Sequence, residues 1–207
     1  MKYIHIIFVL LFTDAASNAS VIINPSFESV SGYSTYSAPS SFSGWTVSQG
    51  SVGLPLSSLG TPQAGTQVLV PAFTTSSGTS TIFQTVSGLS TKTTYELSFW
   101  SSAYSSTTYF GTSSAIVSFG SVTTSFSYSI PAENRNFGSA SSPWVLRSIL
   151  YTPSDTFADI AISVTHSTFD PYIGFDNFTL RAIPEPSTHC LFLTAVALCI
   201  LKSRTRR

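Results

Sequence analysis

Thr94-Tyr-Glu-Leu-Ser-Phe-Trp-Ser-Ser-Ala-Tyr104 decides the fold class. Tyr95, Leu97 and Phe99 fall on one face, and Glu96, Ser98, Trp100 and Tyr104 on the other. A period of two with aromatic residues on the apolar side is the pattern of a half-buried β-strand. Working outward, Ile82–Val86 reads as a preceding strand, linked through Ser87-Gly88-Leu89 and the polar Ser90–Thr93. Ala115–Tyr128 reads as a hairpin turning near Gly120-Ser121, and Trp144–Tyr151 as a further strand. Ala158–Thr165 turns Ile160, Ile162 and Val164 inward. Tyr172–Arg181 closes the series with Phe178 and Leu180 on one face, and the same alternation puts Asp176 with them. Evenly spaced antiparallel strands of this kind predict an all-β protein built as a two-sheet sandwich.

Composition agrees. The region between the chain ends is rich in Ser, Thr, Gly, Val, Phe and Tyr and poor in good helix formers. At roughly 165 residues it suits one domain with a sizeable core, and it shows no internal repeat. The Ser/Thr-rich patches Ser29–Ser43, Thr74–Thr81 and Ser101–Ser114 read as long loops or exposed strand faces. Lys92, Arg135, Arg147 and Arg181 stand against Glu28, Glu96, Glu133, Asp155, Asp159, Asp170 and Asp176, four bases minus seven acids. Without a basic patch, nucleic-acid binding has no electrostatic footing. Both cysteines, Cys190 and Cys199, lie in the tail, so the domain has no disulfide framework. Nine residues apart on a helix, they point to opposite sides.

Both ends read as targeting segments. Residues 1–19 carry a basic Lys2, an apolar stretch from Ile4 to Phe12 and small residues at Ala15, Ala16, Ser17 and Ala19, the plan of a secretory signal peptide. Residues 184–207 comprise Pro184, Glu185 and Pro186, an apolar run from Cys190 to Leu201, and Lys202-Ser-Arg-Thr-Arg-Arg207. The two prolines hold Glu185 in an extended strip that a processing enzyme can read. As a helix the run reaches about 18 Å against a hydrocarbon core of roughly 30 Å, so Thr188 and His189 would sit at one interface and Lys202 would snorkel at the other. The alternative is a short buried helix that closes a soluble domain. The basic end would stay cytoplasmic and leave the domain outside. In order and terminal placement this tail resembles the PEP-CTERM sorting signal of Gram-negative bacteria. That resemblance implies exosortase and signal peptidase as processing partners, transient residence in the inner membrane, and delivery to the cell surface or extracellular matrix.

A second resemblance spans residues 20–183. Asn24-Pro-Ser-Phe-Glu28, Gly44-Trp45, Ile82-Phe-Gln-Thr-Val86, Gly88-Leu89, Tyr95-Glu-Leu-Ser-Phe99 and Tyr172-Ile-Gly-Phe-Asp-Asn-Phe-Thr-Leu180 follow in order. The series resembles the galactose-binding-like jelly rolls found among carbohydrate-binding modules. What it implies is a jelly-roll sandwich, Trp45 in the core, and a structural Ca²⁺ held by Glu28 of the first strand and Asp176 of the last. Independently, a carboxylate turned toward a core needs a partner, and a hard cation with oxygen ligands can supply one. Asn24, Asp170 and Asn177 are possible helpers. The alternative is that Asp176 accepts backbone or Asn side-chain hydrogen bonds while Glu28 is solvated.

Sugar binding needs exposed flat aromatic faces beside hydrogen-bonding groups. Trp100 and Tyr104, next to Glu96, are the first candidates; Tyr33, Tyr36, Tyr109 and Phe110 follow. The competing reading covers Trp100 with a loop or neighbouring strand. Trp144, like Trp45, reads as a core residue at a strand start. Catalysis has little to stand on. His166 is the one histidine between the two ends, no Gly-x-Ser-x-Gly turn marks a nucleophile, and the seven acids are scattered. The expectation is an exported, non-enzymatic module that engages exopolysaccharide. A structural matrix protein without a specific ligand is the alternative, and a glycan hydrolase with two facing carboxylates a more distant one.

Overall fold

Alternation of apolar and hydroxylated residues sets the strands, and their registers assemble them. In the computed structural model the described residues are 22–28, 34–54, 59–71, 78–108, 110–166 and 171–183. The expected signal peptide and the Pro184, Glu185 and Pro186 strip with its apolar run lie outside them. Among the described residues no helix is long and apolar enough to cross a membrane. Twelve strands follow one another: β1 (Ser34–Ser37), β2 (Ser40–Phe42), β3 (Trp45–Gln49), β4 (Ser51–Leu54), β5 (Val70–Pro71), β6 (Gly78–Ser87), β7 (Thr94–Tyr104), β8 (Gly111–Phe119), β9 (Val122–Ile130), β10 (Val145–Tyr151), β11 (Phe157–His166) and β12 (Tyr172–Ile183). Every predicted strand is present, and the hairpin β8–β9 turns at Gly120-Ser121.

All strand pairs are antiparallel. One layer is a six-stranded sheet in the order β2-β3-β6-β11-β8-β9. The other is made of two three-stranded sheets, β1-β4-β5 and β10-β7-β12. Leu69, just before β5, joins them by exchanging backbone hydrogen bonds with Phe175 of β12 at 3.0 and 2.8 Å. The result is a two-layer antiparallel sandwich of jelly-roll type.

The core lies between the layers. Phe27, Trp45, Phe99 and Phe178 meet there, with ring centroids 5.3 Å apart for Phe27–Trp45 and 5.1 Å for Phe99–Phe178. The Trp45 indole N–H donates to the Asn24 carbonyl at 3.2 Å, so its one polar atom is satisfied in the interior. Trp144 differs from expectation. It is half-buried in a second, smaller cluster with Val68, Val70 and Phe137, formed where the 59–71 segment crosses the outside of the sheet. Its indole N–H donates to the Thr61 carbonyl at 2.9 Å.

The face assigned to Asp176 is corrected. Asp176 pairs with Trp100 and Thr179 with Ser98, and the register shifts between them. Asn177, at φ 50°, is the extra residue of this β-bulge. Phe175 and Phe178 therefore both enter the core, while Asp176 points to the outer face with Trp100 and Thr179. Asp176 is still fully buried, beneath the 59–71 segment rather than between the sheets.

The Ser/Thr-rich patches divide between faces. Thr79–Thr165 at 2.9 Å and Thr81–Ser163 at 3.0 Å pair their hydroxyls across the outer face of the six-stranded sheet. Asp159 is the one charged residue in its six strands, and it accepts from the Thr85 hydroxyl. Within Ser101–Ser114, however, Ser101, Ser102, Ser105 and Ser113 are buried. Each hydroxyl has a partner: Ser102 and Ser105 donate to the carbonyls of Ser142 and Glu133 at 2.8 Å, which offsets the cost of burial.

Candidate functional site

The outer face of β10-β7-β12 carries a shallow groove of about 390 Å³ lined by Glu96, Ser98, Leu146, Arg147, Ser148, Thr179 and Arg181. Its floor follows from alternation along β7, which lifts Glu96 and Ser98 outward between their register partners on β10 and β12. The Arg181 guanidinium donates to Glu96 at 2.6 Å, and the Ser98 and Thr179 hydroxyls pair at 2.6 Å. Arg181's side chain is 73% exposed, so the ion pair adds little stability and leaves guanidinium donors facing solvent. Glu96 is the one carboxylate in the lining. Trp100 continues the same face of β7 past Ser98, half-buried and opposite Leu146.

Of the three predicted ligand-binding residues, Glu96 lines the groove; Trp100 stands on the same face beside the lining residue Leu146, outside the lining itself. Tyr104 lies outside it. Its ring stacks on Tyr172 at 6.0 Å and packs on Phe137 at 5.9 Å, beneath the segment that crosses the sheet. Tyr36 stacks on Phe42 at 4.5 Å and Phe110 is exposed, while Tyr33 and Tyr109 lie outside the described residues. Sequence reasoning missed Ser98, Ser148, Thr179 and Arg181 as groove residues. Ser98 was visible in the alternation of β7, and Thr179 and Arg181 in that of β12, opposite Phe178 and Leu180; the bulge displaces only what precedes it.

Glu28 and Asp176 are brought together by the 61–67 loop. Asp176 Oδ2 accepts the N–H groups of Gln63 and Ala64 at 2.9 Å, and Oδ1 accepts that of Asn177 at 2.7 Å. Glu28 Oε1 accepts the N–H groups of Thr66 and Gln67 at 2.8 and 2.7 Å, and Oε2 accepts the Thr66 hydroxyl at 2.8 Å. Asn177 Nδ2 donates to Gln63 Oε1 at 2.7 Å, so its side chain ties the bulge to the loop. Burial pushes Asp176 up to about 7 against the pull of its three N–H donors, and the neighbouring Glu28 charge adds to the rise.

Among the described residues the ion pairs are Arg135–Glu133 and Arg181–Glu96, and neither involves this carboxylate pair. Two adjacent acids with hard oxygen donors fit a cation such as Ca²⁺ in charge and ligand type. Asp176 Oδ1 and Glu28 Oε2 each take a single hydrogen bond, which leaves each a lone pair. No cluster of three or more His, Cys, Asp or Glu forms among the described residues. A cation here would therefore need carbonyl or water oxygens to complete its shell.

Gly65 controls this arrangement. Its φ is +63°, and a Cβ there would fall 2.4 Å from the Glu28 carboxyl carbon. Gly65→Ala is expected to cost about 1–3 kcal/mol through left-handed strain and displacement of Glu28. Urea unfolding measures it; a cost like that of Gly88→Ala, where φ is +79° and nothing lies within 4 Å, would leave the displacement without effect.

No family model matches the chain, and no curated protein matches it. Solved structures do show similarity. TmCBM61 in complex with beta-1,4-galactotriose is 18% identical, with TM-score 0.46 over 79% of this chain and 99% of that one. The CBM22-1 xylan-binding domain from Paenibacillus barcinonensis Xyn10C is 13% identical, with TM-score 0.38 over 73% and 94%. Arabinose-bound MgGH51 α-L-arabinofuranosidase is 12% identical, with TM-score 0.48; 82% of this chain aligns with only 27% of that one. These likenesses are loose, and the sandwich assignment stands on the strand registers.

Proposed function

We propose that this chain is an exported, non-catalytic module that binds an extended polysaccharide along the outer face of β10-β7-β12. The observation that carries this reading is the groove itself: an open trough with exposed guanidinium donors, a carboxylate and paired hydroxyls, and with the half-buried Trp100 next along the same face of β7. Hydroxyl-rich ligands are bound by such mixtures of planar apolar surface and hydrogen-bonding groups. A single carboxylate, already paired with an arginine, gives the groove no second acid for general acid–base hydrolysis. The sequence of the tail supports sorting by exosortase through the inner membrane to the surface or matrix of a Gram-negative bacterium, after signal-peptidase cleavage at the other end. Ca²⁺ bound by Glu28 and Asp176 would fix the 61–67 loop and neutralise the pair.

The test is a panel of polysaccharides screened by affinity electrophoresis and thermal shift. One of them is expected to raise the melting temperature, since a ligand of the native state must. Trp100→Ala is expected to weaken its binding about tenfold or more, roughly 1.4 kcal/mol, and Glu96→Gln to weaken it less. If no glycan shifts the melting temperature or retards the protein, the binding reading fails. The hydroxyl-lined face of the six-stranded sheet, with Asp159 its one charge, favours a second reading, a structural matrix protein with no specific ligand.

A further inference from the structure

β10 is an edge strand, hydrogen-bonded to β7 on one side, and no described strand pairs with its other side. Native edges are blunted by charge, proline or bulges. β10 has none of these on its outer face: its register with β7 runs unbroken from Val145 to Tyr151, and it contains no proline. Its outward side chains are Leu146, Ser148 and Leu150, with the two leucines 55% and 54% exposed. Arg147 is turned inward. Its guanidinium lies 3.6 Å from the centre of the Phe126 ring, and its Nε donates to the Ser101 hydroxyl at 2.7 Å, so its charge is used within its own sandwich.

The sequence Val145-Leu-Arg-Ser-Ile-Leu-Tyr151 has a symmetry that matters at an edge. Paired antiparallel with itself about Ser148, it puts Leu146 of one copy opposite Leu150 of the other, twice, and Val145 opposite Tyr151. Apolar cross-strand pairs of this kind stabilise a ladder, and a two-fold interface must be self-complementary in this way. We propose that β10 is the self-association edge of this protein, and that two copies join their β10 strands antiparallel about a two-fold axis through Ser148. The axis is normal to the sheet. It makes one continuous β12-β7-β10-β10-β7-β12 sheet and sets both outer faces on the same side. A single strand pair buries little surface, so the dimer is weak in dilute solution and gains from crowding on a surface or in a matrix.

The register makes the test specific. Residues opposite one another on paired strands have Cα atoms about 4.5–5.5 Å apart, within the range of a disulfide. In the full chain carrying Cys190→Ser and Cys199→Ser, Ser148→Cys is expected to form a disulfide-linked dimer several-fold faster under mild oxidation than Ser125→Cys, another exposed site, on β9. Adding Leu146→Lys with Leu150→Lys sets like charges opposite each other and should abolish the advantage. Leu146→Lys with Leu150→Glu should restore it, because the introduced lysine of one copy then faces the introduced glutamate of the other. Cross-linking of Ser148→Cys no faster than Ser125→Cys overturns the proposal, as does a double-lysine variant that cross-links unimpaired or a charge-paired variant that stays slow. Melting curves confirm that each variant folds; if the double-lysine chain does not, the comparison of the two cysteine sites decides alone.

Discussion

With divalent cations chelated, the protein is expected to lose stability as the pH rises from about 4 to about 7, by up to about 4 kcal/mol, and Asp176→Asn to remove that slope. The sign follows from the carboxyl group. Asp176 titrates at about 7 in the folded chain against an ordinary 3.8. Between those values the folded state keeps a proton that the unfolded state has released, so raising the pH favours unfolding. Below the window both states are protonated and above it both are ionised, so the contribution is level at either end. Asparagine keeps an acceptor for the loop N–H groups and cannot ionise. Ca²⁺ should oppose the fall, because it favours the ionised pair, and its effect should grow with pH. Urea unfolding across the window, with Ca²⁺ and with EDTA, measures both. Parallel profiles for wild type and Asp176→Asn would mean that the buried acid is not the cause. A profile indifferent to Ca²⁺ at pH 8, where the pair is ionised, would remove the cation from this site.

Phe175→Ala and Phe178→Ala should each cost about 3–5 kcal/mol, against about 0.5 kcal/mol or less for the exposed Leu150→Ala. Phe178 packs against Phe27 at 5.9 Å, Trp45 at 5.7 Å and Phe99 at 5.1 Å, and its N–H donates to the Pro25 carbonyl at 2.9 Å. Phe175 meets Phe99 at 6.2 Å and Phe126 at 6.1 Å. Three positions apart, two residues of a regular strand face opposite ways, so an unbulged β12 would bury one phenylalanine and expose the other. Two large losses identify the bulge; one large and one small loss would remove it. Since native proteins hold only about 5–15 kcal/mol in reserve, either variant is expected to melt many degrees lower.

What the residues disclosed and what they hid divide along β12. Tyr95, Leu97 and Phe99 on β7, and Ile160, Ile162 and Val164 on β11, are buried as their alternation requires, since nothing interrupts either strand. On β12 the same arithmetic misplaces Asp176, because the signal for the bulge is a single Asn at positive φ, and asparagine occurs for many other reasons. The pairing of Glu28 with Asp176 was implied by resemblance, but the 61–67 loop between them was not. Its contribution is made by backbone N–H groups, which leave no trace in side-chain chemistry. Tyr104 and Trp100 share a face in the sequence as in the structure. Only the path of the 59–71 segment, which brings Val68 and Val70 against Phe137, decides that Tyr104 is packed into that cluster and Trp100 is not.

The hydroxyl-lined outer face of the six-stranded sheet has a consequence for how this protein meets a changing environment. Attraction or repulsion between charged surfaces decays over a Debye length that shrinks as salt rises. A face whose hydroxyls bond mainly one another, with Asp159 its only charge, has almost no field to be screened. Whatever lies against it in fresh water lies against it equally in brine. It is a surface built to be electrically silent.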